Sequence, residues 1–184
     1  MIVLGIDPGT RKLGWGVVTR VGSRLRHSAH GVIETNSDEP LAARLADIER
    51  ELSIVIERYR PNVGSVETLF FHKDVQAASK LGHARGVVLL CLARAGIEVA
   101  EYAPARVKRT VAGGGQADKR QVGMLVRATL GLDELPPADA SDALALAITH
   151  LRAAPLARAV LEAKLAGRLV GRASGRAGGR FQRR

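Results

Sequence analysis

The sequence predicts an α/β fold on a five-stranded mixed sheet, three antiparallel strands followed by parallel ones, flanked by helices and trailed by a basic arm. Three observations point there. The chain opens with three strand-like runs and no helical stretch between them. From residue 41 onward, helical and strand-like runs alternate. The end of the chain is rich in arginine and glycine and almost devoid of acid. A meander followed by helix–strand alternation is the pattern of a mixed sheet with helices on its faces.

Each element has its own signal. "MIVLGID" is short, apolar and β-branched, and it closes on Asp7-Pro8-Gly9, as a central strand ending in a turn does. "LGWGVVTR" and "LRHSAHGVIET" are broken only by "VGS", which reads as an antiparallel hairpin. Leu41, Leu45, Ile48, Leu52, Val55, Ile56 and Tyr59 then recur at helical spacing, and Pro61 ends that helix. "VGSVE" is the fourth strand. "VQAASKLGHARGVVLLCLARAG" is a long helix of small residues stopped by Gly96. "IEVAEYA" is the fifth strand. After Pro104 the pattern is helical, interrupted by the glycine loop "AGGGQADK", and "ADASDALALAITHL" is a last core helix. The boundary falls between a folded domain over 1–154 and a basic Gly/Arg-rich tail over 155–184.

Composition narrows the classes. The chain has 184 residues, enough for one domain with a real core. Its formal net charge is +10. Residues 155–184 hold eight Lys/Arg against the single acid Glu162, a net of +7, which leaves about +3 for the rest. Arginine recurs every fourth residue from Arg168 to Arg180, a stripe on any helix, yet the interspersed glycines favour a flexible arm. The one cysteine, Cys91, excludes an internal disulfide and reads as core packing. The N-terminus lacks a signal-peptide pattern, and no apolar run is long enough to span a membrane, so a reducing cytoplasm is the expected home.

Four acids carry the chemistry. Asp7 and Glu67 end strands one and four; Asp139 and Asp142 lie three apart at the start of the last helix, nearly one turn, so both can point one way. Singly, each has a plain explanation as a turn residue, a strand cap or a helix N-terminal acid. Ligands of α/β sheets, however, collect beyond the carboxyl ends of parallel strands. Strands one and four as parallel neighbours would bring Asp7 and Glu67 together, with the last helix beside them. Four gathered carboxylates repel unless a cation sits among them. Carboxylates suit Mg²⁺ and Mn²⁺, and two such ions roughly 3.5–4 Å apart are the standard device for phosphodiester hydrolysis. Lys108, Arg109, Lys119 and Arg120 flank the glycine loop and are placed to neutralise phosphate. In "SVETLFFHKD", Phe70 and Phe71 interrupt a polar run just past Glu67, with Lys73 following. Alternation on an extended segment points these two rings to opposite sides. Gly82 and Gly86, four apart on the long helix, allow close approach, either of another helix or of its own sheet.

Taken together, "GIDPGT", "VETLFFHKD", "KLGHARGV", "ARVKRTVAGGGQADKRQV" and "ADASDALALAITH" resemble the bacterial RuvC family of crossover (Holliday) junction endodeoxyribonucleases, over about residues 1–151. The resemblance implies a ribonuclease H-like fold. It implies a homodimer that places symmetric paired nicks in four-way DNA junctions during recombination and repair, leaving 5′-phosphate and 3′-hydroxyl ends. It implies two Mg²⁺ per site, with Mn²⁺ able to substitute, held by Asp7, Glu67, Asp139 and Asp142. By the same likeness, Lys119 and Lys108 serve catalysis and DNA binding, Phe70 meets the junction near its crossover, and the helix bearing Gly82 and Gly86 forms the dimer interface. The branch-migration proteins RuvA and RuvB are the implied partners. Some members carry His where Asp139 stands, and the Gly/Arg tail is longer than the family pattern requires. "GIDPGT" also fits the phosphate turn of actin-like ATPases, but the chain is too short for two lobes. Two rivals stand closer: a ribonuclease H-like enzyme acting on RNA, and a junction-binding protein that does not cut. The four intact acids argue against a protein that binds without cutting.

Overall fold

The computed structural model describes residues 1–68, 75–114 and 117–154, with 75–77 by backbone alone. All its strands lie in a compact unit spanning Met1–Leu151. Strands β1 (Ile2–Asp7), β2 (Lys12–Val21) and β3 (Arg24–Glu34) form the expected meander. Helix α1 (Leu41–Tyr59), β4 (Val63–Glu67), α2 (Val75–Arg94) and β5 (Glu98–Tyr102) alternate after it. Helices α3 (Pro104–Ala112) and α4 (Lys119–Leu130) follow, and a final helix, α5, begins at residue 138 and has its last described residue at 154. The sheet order is β3-β2-β1-β4-β5. β1 pairs antiparallel with β2 and parallel with β4, and β4 pairs parallel with β5. The expected tail, 155–184, lies outside the described residues.

Two apolar layers sandwich the sheet. On one face Leu4, Ile6, Leu13, Val17 and Val66 meet Ile48, Leu52 and Ile56 of α1 and Val88, Cys91 and Leu92 of α2. Cys91 is buried there, as a core residue. The other face carries α5, whose Ala140, Ala143, Leu144, Ala147, Ile148 and Leu151 are fully buried. A helix buried this completely reads as apolar almost all round, which explains its "ALALAI" run.

Glycines set the distance between α5 and the sheet. Gly16, Gly5, Ser65 and Ala100 stand opposite one another across β2, β1, β4 and β5. This row of small residues forms a shallow track under the helix. A Cβ added to Gly5 would lie 1.9 Å from the Ala143 carbonyl oxygen, and one on Gly14 would lie 2.0 Å from that of Asp139. The Ser65 hydroxyl donates to the Leu146 carbonyl at 2.9 Å. The Tyr102 hydroxyl bonds His150 Nδ1 at 2.9 Å, and the Arg20 guanidinium donates to the Leu151 carbonyl. Backbone contact at one end and polar ties at the other hold α5 against the strands.

Gly82 and Gly86 do not pack on the sheet: among the described residues, a Cβ at either would meet nothing within 4 Å. With Leu90, 48% exposed, they form an open stripe along α2. Of the two explanations for their spacing, close packing on the chain's own sheet is therefore excluded.

Candidate active site

Pleating decides where the acids point. Ser65 and Gly5 face α5, and side chains two residues apart on a strand share a face. Asp7 and Glu67 therefore face α5 as well, at the carboxyl ends of adjacent parallel strands. The turn after Asp7 is fastened from the side. The Thr10 carbonyl accepts hydrogen bonds from the Arg44 guanidinium (Nε at 3.0 Å) and from the Thr35 hydroxyl at 2.7 Å. The first turn of α5 brings Asp142 to the same place. Together Asp7, Glu67, Asp142, Lys108 and Lys119 line a cleft of about 290 Å³, with Val122 and Leu146 in its apolar wall. Asp139 stands at its margin, close enough for its charge to act on Asp7.

Lys119 owes its position to a helix start. Asp118 caps α4: its carboxylate accepts the Gln121 N–H at 2.7 Å, and the Gln121 side chain accepts the Asp118 N–H at 3.1 Å. This reciprocal cap fixes the first residue of α4, Lys119, over the cleft. Its ammonium lies 3.1 Å from Asp142 Oδ2. Lys108 reaches the cleft from α3, which Pro104 starts and Gly113, at φ 73°, ends.

The electrostatics are those of a crowded anionic site. Burial is the main cause that pushes the Asp7 carboxyl up to about 7; Asp142, Glu67 and Asp139 push the same way, and only Lys119 opposes them. The Lys119 ammonium is held above its ordinary value by its hydrogen bond to Asp142. Carboxylates gathered this closely favour a cation bound among them. Among the described residues, no three His, Cys, Asp or Glu converge as a ready-made metal cage. The donors are nonetheless all carboxylates around a destabilised anion, which fits a hard divalent ion chemically.

Of the expected site residues, the structure gathers Asp7, Glu67, Asp142, Lys108 and Lys119, and brings Asp139 to the rim. Arg109 and Arg120 are exposed and do not line the cleft. Phe70, Phe71 and Lys73 lie outside the described residues. A larger cavity, about 450 Å³, opens near the start of β4 and β5 and is lined by Ile56, Arg60, Cys91, Arg94 and Ile97 among others. It sits at the far end of the strands from Asp7 and gathers no acid cluster. Gly5, Gly14, Ser65, Arg44 and Asp118 position the site without having stood out in the sequence. Only Asp118 had a local signal, since Asp followed three residues later by Gln marks a helix start.

Comparison with known proteins agrees with this geometry. The family model "Crossover junction endodeoxyribonuclease RuvC" matches residues 3–150. A protein of that name from Sorangium cellulosum is 56% identical over 160 residues, covering 87% of this chain and 89% of its own. Another, from Chloroflexus aggregans, is 52% identical over 156 residues, covering 84% and 95%. Thermus thermophilus RuvC in complex with a Holliday junction substrate superposes with a TM-score of 0.81 at 40% identity, covering 85% of this chain and 96% of that one. The sheet is the ribonuclease H-like sheet of these resolvases, and neither an RNA-directed enzyme nor a non-cutting binder is favoured. The chain belongs to the RuvC family of crossover junction endodeoxyribonucleases.

Proposed function

We propose that this chain resolves four-way DNA junctions by symmetric paired nicks that leave 5′-phosphate and 3′-hydroxyl ends. One observation carries the reading: Asp7, Glu67 and Asp142 line one cleft with Lys108 and Lys119 at the carboxyl ends of the parallel strands β1 and β4. Asp7, Glu67, Asp139 and Asp142 would hold two Mg²⁺ ions, and Mn²⁺ would substitute. Bound there, divalent ions supply an activated water and stabilise the leaving oxygen of a phosphodiester. The protein's own groups do the rest. Lys119 and Lys108 hold the scissile phosphate at the cleft, and the Val122–Leu146 wall limits water on one side. Phe70 stacks on an unpaired base at the crossover, worth roughly 1–3 kcal/mol. Lys73, Arg109 and Arg120 add phosphate contacts around it.

The active form is a homodimer, in which the open Gly82–Gly86–Leu90 stripe of α2 meets its copy. Two sites then face two strands of one junction. The protein works in the cytoplasm beside the branch-migration proteins RuvA and RuvB. In support, among the described residues no helix is long and apolar enough to cross a membrane, and Cys91 is a free, buried thiol.

The test compares cleavage of a synthetic four-way junction, its linear duplex arms and an RNA–DNA hybrid, with nick positions and end groups mapped. Paired nicks confined to the junction and sealable by ligase are expected. Cutting of the hybrid, or equal cutting of linear duplex, would overturn the reading.

A further inference from the structure

Arg85 stands apart among the described arginines. It lies in the middle of α2, and its side chain is only 11% exposed. Fully buried arginines are rare unless paired. Two groups receive it. Its Nε–H donates to the Glu67 carbonyl at 3.3 Å, and its Nη2 pairs with the Glu101 carboxylate. The two acceptors belong to neighbouring strand ends, since Glu101 stands opposite Val66 in the β4–β5 register.

The direction of approach matters. Gly64 meets Leu92 of α2, and Val66 shares its face, so α2 covers the face of β4 opposite to the one where the Glu67 carboxylate points. Arg85 thus grips the Glu67 backbone from behind while its carboxylate lines the cleft. Residue 67 ends β4, and the next amide, Thr68 N–H, is tied to the Tyr102 carbonyl at 2.9 Å. Arg85 and Tyr102 together fix the last peptide of the strand before the segment that bears Phe70.

We infer that Arg85 is a positioning residue for Glu67, a fork that locks the end of β4 to β5 and aims the glutamate into the cleft from the helix that carries the open Gly82–Gly86 stripe. The inference rests on the proposed catalytic role of Glu67. A planar guanidinium serves both acceptors at once, whereas a lysine ammonium reaches them less well. Because Glu101 is half exposed, removing Arg85 leaves no buried unpaired charge, and the fold should survive.

The test uses full-length Arg85→Met, Arg85→Lys, Glu101→Gln and Glu67→Gln beside wild type. Four quantities are read: thermal melting, junction affinity in EDTA, calorimetric Mn²⁺ affinity without DNA, and junction cleavage. Partners that orient metal-binding groups typically change metal affinity or activity by about 10–100-fold. Arg85→Met should weaken Mn²⁺ binding and cleavage by that order, with EDTA junction affinity within about twofold. Arg85→Lys and Glu101→Gln should fall between it and wild type. Wild-type Mn²⁺ affinity and cleavage in a folded Arg85→Met, with Glu67→Gln inactive, would overturn the Arg85 inference alone. Full activity in Glu67→Gln would instead overturn the role of Glu67, and the Arg85 inference with it. Should Arg85→Met not fold, a Glu101→Gln protein indistinguishable from wild type in Mn²⁺ affinity would overturn the fork.

Discussion

Asp7 keeps its proton to about pH 7 because it is buried and because Asp142, Glu67 and Asp139 surround it, whereas the unfolded chain releases that proton near 3.8. Between these values the folded chain binds more protons than the unfolded one, so this residue's contribution to stability is lost as pH rises from about 4 to about 7. Asp7→Asn removes that loss. In EDTA at pH 8 the variant should melt several degrees higher than wild type, and the gap should narrow as pH falls towards 4. Thermal melts across pH check this; a gap independent of pH contradicts it. The same proton competes with a cation. Raising Mg²⁺ should therefore move the rising limb of the cleavage pH profile to lower pH, and a limb indifferent to Mg²⁺ would contradict the charge arrangement. At this scale the acids were legible because four carboxylates at strand and helix ends have a recognisable joint chemistry. Arg85 was not: its role depends on which carbonyl lies across a strand end, which no local spacing encodes.

Helix α5 delivers Asp139 and Asp142 only because the sheet beneath it is nearly bare. Gly14 and Gly5 sit where a methyl group would strike the helix backbone itself, which cannot rotate aside as a side chain can. Overpacking of this kind costs typically 1–3 kcal/mol and displaces the backbone. Gly14→Ala should therefore lower the melting temperature by several degrees and, by moving the first turn of α5, cut cleavage at least about tenfold. Ser65→Ala removes one hydrogen bond to Leu146 and should cost about 1 kcal/mol with a smaller effect on cleavage. Melting and single-turnover cleavage compare the two; a Gly14→Ala protein as active as Ser65→Ala would contradict the track. The strands, the hairpin and the helices were readable from alternation, turn residues and helical spacing. The track was not. A glycine inside a strand pattern reads as a weak point, and only the register of Gly16, Gly5, Ser65 and Ala100 makes it a surface.

The whole molecule sets two tasks apart. The carboxyl end of the sheet holds the acids and lysines, while α2 presents a stripe that, among the described residues, nothing covers. If the stripe pairs two copies, Leu90→Glu should shift sedimentation from dimer towards monomer and lose paired nicking while each copy remains folded. The tail is the most basic part of the sequence, and each phosphate contact adds about −0.9 to the log–log salt slope on duplex DNA. Deleting 168–184 should flatten that slope, and an unchanged slope would remove the tail from DNA binding. Element order and fold were legible at this scale because a meander followed by helix–strand alternation admits few topologies. The measurement that tests the account most directly is junction cleavage by wild type and Asp7→Asn after equal binding in EDTA, started by adding Mg²⁺. Wild type should then place paired nicks while the variant holds the junction uncut. Nicking by the variant at the wild-type rate, or no nicking by wild type in Mg²⁺ or Mn²⁺, would contradict it.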